Sequence, residues 1–174
     1  MPIIWQPTMS VGAKAIDDEH KYLFSLVNCV ELALKTGEVA SIALFIDQLA
    51  DYCQEHFAHE EKLQLRIKYP YYLENKTQHV QILDNLLTLR QRLVLPQAPT
   101  EGDEAPELSD YDPDASDAAT SGEVVCDKAP IGAKLVAEIT ELLRKWVLEH
   151  VLVVDRKMHP FLSRLGPTKL RELL

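Results

Sequence analysis

Long apolar runs are missing from this sequence: no stretch of about 18 or more residues is free of charge, which excludes an ordinary membrane-spanning helix. The opening MPIIWQPTMSVG has neither a basic start nor an apolar stretch behind it, so no standard export signal is expected. Cysteine is scarce. Cys29, Cys53 and Cys126 form an odd, scattered set with neither C-x-x-C spacing nor a disulfide framework, which fits small core residues in a reducing cytoplasm. Clustered Lys and Arg are missing too, and phosphate contacts need them, so nucleic acid is not an expected partner.

What is present points to one core. A chain of 174 residues with 47% hydrophobic content can bury a single interior, so residues 1–174 are expected to form one domain. Its charge is unevenly placed. Between Pro96 and Pro130 lie ten acidic residues and one basic residue, Lys128, a local balance equal to the whole chain's net charge of -9. That segment is rich in Pro, Ala, Ser and Asp and lacks apolar periodicity, so 96–130 reads as a flexible acidic insertion.

The rest reads as helices. Asp17 or Asp18 is placed to cap a first helix that carries His20, Leu23, Phe24, Val27 and Val30 and stops near Gly37. Ser41 is placed to cap a second, ending before the Tyr69-Pro70 turn. A third spans about Leu73 to Leu95, and a fourth runs from Ile131 or Gly132 to Met158, ending before Pro160. Short connections between long helices predict an all-α, up-down-up-down four-helix bundle, with the insertion between helices 3 and 4. Pro167 can start a short C-terminal helix over 167–174, whose apolar LRELL ending suits a docking tail or a connector.

Five histidines and two carboxylates ride on these helices: His20, His56, His59, His79 and His150, with Glu60 and Asp155. Imidazole with carboxylate suits iron better than Mg²⁺, which prefers oxygen, or copper(I), which prefers sulfur. One ion rarely takes so many imidazoles, whereas two ions bridged by Glu60 and Asp155 would share them and have much of their charge neutralised. Helical spacing puts His56 and Glu60 on one face, and likewise Asn75 and His79. His150 and Asp155 are five apart, about 140° on an ideal α-helix. They converge only through a π-type turn; otherwise Asp155 is a surface acid beside Arg156 and Lys157.

Taken in order, these motifs resemble those of the bacterial hemerythrin domain. The chain outside the insertion carries an early Trp5, VGAKAIDDEHKYLFSLVN around His20, HFAHEEKL with H-x-x-x-E, YP shortly before the third helix's motif, and WVLEHVLVVD with W-x-x-x-H-x-x-x-x-D. The resemblance implies a non-haem di-iron centre, oxo- or hydroxo-bridged, that binds O₂ reversibly or reports on it. By that correspondence His20 and His56 would hold one iron, His79 and His150 the other, and Glu60 and Asp155 would bridge them. The chain departs from the pattern in the third helix, where NKTQH has Asn75 in place of the first histidine of H-x-x-x-H. Asn75 could donate its side-chain oxygen, leave room for water, or hydrogen-bond to that water. His59 is placed as a half-exposed or supporting residue, and His159 at a helix end where its charge suits the dipole.

Trp146, Leu63 and Phe24 share the ligand faces and are expected to wall the pocket, although plain core packing explains them equally well. The favoured function is O₂ or redox sensing. O₂ would bind the diferrous centre, and the missing histidine would favour fast autoxidation over lasting oxygenation. An O₂ carrier or store, and a di-iron oxidase or NO-handling enzyme, are the alternatives; no proton donor or substrate-sized polar set marks an enzyme. A bundle merely holding zinc would need fewer ligands. O₂, NO and small anions are the expected ligands, and hemerythrin domains fused to signalling outputs make a downstream output domain a compatible partner.

Overall fold

The computed structural model describes residues 1–94 and 131–173. Four long helices form an up-down-up-down bundle: α1 (Lys14–Thr36), α2 (Val39–Arg66), α3 (Tyr72–Val94) and α4 (Ala133–Glu149). The path of α4 continues through a π-helical segment (His150–Val154) and a 3-10 turn (Asp155–Met158) into the short α5 (His159–Leu162), and α6 (Pro167–Leu173) follows. No strand occurs among the described residues. The acidic segment 96–130 lies outside them.

Helix ends follow local chemistry, with two departures from the expected caps. α1 ends where Gly37 takes a left-handed φ of 74°, a conformation that costs glycine nothing, and its N–H closes on the Ala33 carbonyl. Asp17 does not cap α1, which begins at Lys14. Its carboxylate instead reaches upstream, accepting from Ser10 Oγ at 2.6 Å and the Val11 N–H at 2.8 Å, and so fixes the chain's entry. Ser41 likewise lies inside α2, donating to Glu38 at 2.6 Å, while Glu38 itself occupies the cap position.

Pro160 also does not stop the fourth helix's path. It sits in the first turn of α5, where no intrahelical N–H partner is required, and the winding simply changes type before it. His159 closes the 3-10 turn and opens α5, so it stands inside a continuing helical path and not at a helix end set by Pro160.

Two apolar clusters fill the bundle. The larger contains Phe24, Val27, Ile46, Leu49, Phe57, Leu86, Ile139 and Trp146; the smaller contains Val11, Ile16, Leu63, Tyr69, Met158 and Leu162. Along each long helix the ligand-type residues fall at the junction. On α1 His20 lies between Ile16 of one cluster and Leu23 of the other, and on α2 His56 and Glu60 lie between Cys53 and Leu63. The polar layer is thus sealed from both ends by side chains that exclude water. The N-terminal arm closes its flank: Asn28 pairs with the backbone of Ile3 through both polar atoms, at 2.8 and 2.9 Å, which lays Trp5 against Phe24 and His20.

Candidate metal centre

Four helical segments deliver seven polar side chains to this layer: His20 from α1, His56 and Glu60 from α2, Asn75 and His79 from α3, and His150 and Asp155 from the fourth. None is more than 2% exposed. Such depth is costly for groups of this kind unless each finds a partner. The π segment solves the spacing problem at His150 and Asp155. The Asp155 N–H donates to the His150 carbonyl, an i→i+5 bond that brings both side chains to the same side. Asp155 is fully buried, so it is not the surface acid its charged neighbours allowed.

The geometry divides the donors into two groups sharing two carboxylates. His20 Nε2 lies 3.5 Å from Glu60 Oε1 and 3.3 Å from Asp155 Oδ2. His56 Nε2 is 3.9 Å from Glu60 Oε1. On the other side His79 Nε2 is 3.5 Å from Glu60 Oε2, and His150 Nε2 is 3.3 Å from Asp155 Oδ2. His20, His56, Glu60 and Asp155 make one set of four whose donor atoms all lie within 4.8 Å of one another; Glu60, His79, His150 and Asp155 make the second.

The inward atoms are left without hydrogen bonds. The Nε2 atoms of His20, His56, His79 and His150, both oxygens of Glu60 and Oδ2 of Asp155 are buried and unpartnered among the described residues. Buried polar atoms are almost always paired, and seven convergent lone-pair donors that are not form a cradle for cations. Nitrogen and carboxylate oxygen in this ratio suit iron.

Asn75 is fully buried beside this cradle. Its amide nitrogen donates to Asp155 Oδ1 at 3.4 Å, steadying the carboxylate whose other oxygen faces His20 and His150, while its own Oδ1 has no partner among the described residues. His59 is exposed, as its position suggested, but it is tied to the site through Glu19. Phe24 and Trp146 belong to the larger cluster and Leu63 to the smaller, so they cover the layer from opposite sides. Phe57 stacks face to face on His79, with ring centroids 4.0 Å apart.

Two residues were invisible to the sequence reading. Glu19 bonds His56 Nδ1 at 2.8 Å, and Glu61 bonds His79 Nδ1 at 3.0 Å. Their only trace in sequence is adjacency to His20 and Glu60, and neighbours on a helix point about 100° apart, so adjacency carries no hint of a contact across helices.

The charges in this layer are set by the pairings. Burial opposes the His20 imidazolium, yet the Asp155 and Glu60 carboxylates outweigh it and push its pKa up to about 10. Burial also opposes the Glu60 charge, but His56, His20 and His79 hold that carboxyl well below its usual range. His150 goes the other way, lowered by burial despite Asp155 and Glu60. In the metal-free protein the His20 proton therefore supports the fold. That contribution is complete below the ordinary value of 6.5 and is lost as pH rises toward about 10. A cation needs the neutral ring, so metal uptake at pH 7 is expected to displace this proton. Calorimetric titration of Fe(II) into metal-free protein, in buffers of different ionisation enthalpy, should count about one proton or more released per chain. Release of none would remove His20 from the donor set.

Known proteins resemble this chain in sequence and in fold. The family model for the hemerythrin HHE cation binding domain matches residues 11–162. A bacteriohemerythrin of Methylococcus capsulatus is 26% identical over 147 residues, 84% of this chain and 86% of the relative. One from Stenotrophomonas maltophilia is 28% identical over 90 residues, 52% of this chain and 59% of the relative, and one from Pseudomonas aeruginosa is 34% identical over 77 residues, 44% and 50%. The chain thus spans between half and three fifths of the length of these last two relatives. The crystal structure of a wild-type hemerythrin shares the fold, with a TM-score of 0.65 at 20% identity, covering 94% of this chain and 99% of the other.

Proposed function

This chain belongs to the hemerythrin family of cation-binding domains, and we propose that it binds O₂ at a di-iron centre as a redox sensor. The carrying observation is the set of buried, convergent, unpartnered donors in two groups of four that share Glu60 and Asp155. On this reading His20 and His56 would hold one iron, His79 and His150 the other. When bound, a ferrous pair supplies the electrons that O₂ accepts.

The protein's own residues determine what can reach that place. Every donor is essentially inaccessible, and aromatic and aliphatic side chains cover the layer, which favours diatomic ligands such as O₂ or NO and small anions over organic substrates. That favours a binding domain over an oxidase. Asp155 is steadied by Asn75, and the outward nitrogens of His56 and His79 are fixed by carboxylates, so the donors are aimed before a cation arrives. Asn75 leaves the His79–His150 group one imidazole short of the family's pattern, and this is the reason to prefer sensing to carriage.

The two uses separate in one experiment. Reduced, iron-loaded protein is mixed with air-saturated buffer, then flushed with argon, while its near-ultraviolet and visible absorption is followed. A sensor oxidises within the first exposure and returns only on adding reductant. O₂ uptake that reverses under argon over repeated cycles would instead identify a carrier.

A further inference from the structure

We propose that Glu19 and Glu61 are positioning residues of the centre: each sets the tautomer and donor strength of one histidine, and both add negative charge beside it. This inference rests on the di-iron reading above. Glu19 on α1 reaches across to His56 on α2, and Glu61 on α2 reaches across to His79 on α3. One carboxylate therefore backs one histidine in each group of four. The other two histidines are not backed, since His20 Nδ1 and His150 Nδ1 are buried without a partner among the described residues.

A neutral imidazole carries a single N–H. With Nδ1–H donated to a carboxylate, the Nε2 lone pair is left facing inward, and the nearby negative charge makes it a stronger donor. The outer ends of both carboxylates are fixed as well. Glu19 uses its second oxygen to hold His59 Nδ1 at 2.8 Å, and Glu61 uses its second oxygen toward Lys76 Nζ at 3.4 Å. Both side chains are only 21% exposed, although His59 and Lys76 are themselves about half exposed. Each carboxylate is thus held between an exposed cationic or imidazole group and a buried histidine, instead of turning to solvent.

Charge gives the pairing a second purpose. Glu60 and Asp155 together cancel half the charge of two divalent ions, and Glu19 and Glu61 add negative charge behind the imidazoles, that of Glu61 shared with Lys76. The centre is therefore tuned for the reduced, divalent pair, and removing either outer charge should weaken divalent binding and make the iron harder to oxidise.

Glutamine tests this cleanly, because its amide oxygen still accepts from Nδ1 while the charge is gone. Co(II) is titrated into metal-free parent, Glu19→Gln and Glu61→Gln against a competing chelator, with helix content followed by circular dichroism. Midpoint potentials of the iron-loaded proteins are measured alongside. Each variant is expected to bind Co(II) about 10- to 100-fold more weakly, with a more positive potential. Asp18→Asn removes an exposed acid from the same turn and should change affinity by less than about twofold, because solvent and salt screen it. Folded glutamine variants with the parent's affinity and potential overturn the proposal, as does weakening that only accompanies loss of helix or is matched by Asp18→Asn. A parent that takes up no Co(II) would sink the di-metal reading itself, whereas two bound ions with unchanged variants would sink only this inference.

Discussion

Replacing Glu60 by Ala is expected to abolish loading of both ions at once. Among the described residues, no other faces both groups through separate oxygens: Oε1 toward His20 and His56, Oε2 toward His79. Removing a supporting partner of a metal ligand costs up to about 100-fold in affinity, and removing a ligand shared by two ions should exceed that for each. The fold should survive, because both apolar clusters stay intact on either side of the layer. Elemental analysis after exhaustive iron loading checks the metal, and circular dichroism checks the helices. A folded Glu60→Ala protein that keeps its full iron complement would show that the carboxylate does not join the two groups.

The second large effect is expected at Asn75. Histidine there would give the His79–His150 group its third imidazole and should stabilise the loaded, reduced state. A gain of about 1.4 kcal/mol in that state, carried into the barrier, slows oxidation about tenfold. Asn75→His is therefore expected to oxidise in air about tenfold more slowly than the parent. The readout is stopped-flow absorption after mixing with O₂, at equal iron content. The substitution also removes the amide that steadies Asp155 Oδ1, so Asn75→Asp and Asn75→Ala serve as comparisons that lose the amide without adding an imidazole. An Asn75→His protein that loads fully and oxidises as fast as the parent would remove the reason for preferring a sensor.

The Glu60 and His56 pairing was legible from sequence, because i and i+4 residues share a helix face whatever the helix packs against. The His150 and Asp155 spacing was legible only as a choice: five residues converge through a π turn or leave Asp155 at the surface, and the fourth helix takes the π turn. Glu19 and Glu61 were not legible. Their partners lie on neighbouring helices, and which outward residue meets which outward nitrogen depends on the relative rotation of two helices, a tertiary quantity.

Helix limits failed for a related reason. Asp17 has the composition of a cap, but a carboxylate can satisfy backbone N–H groups upstream as well as downstream, and here it serves Ser10 and Val11. Pro160 reads as a stop by propensity, yet a proline in the first turn of a new helical segment sacrifices no bond. Asn75 could be flagged in sequence as a departure, while its contact with Asp155 across eighty positions could not.

Two ions that share Glu60 and Asp155 within one chain must be magnetically linked. Mössbauer spectroscopy of protein loaded with ⁵⁷Fe, combined with iron and zinc counts per chain, tests it most directly. The predicted result is two irons per chain, magnetically coupled through the shared ligands in the oxidised state. One iron per chain, two uncoupled irons, or a zinc-filled site that iron does not displace would contradict it.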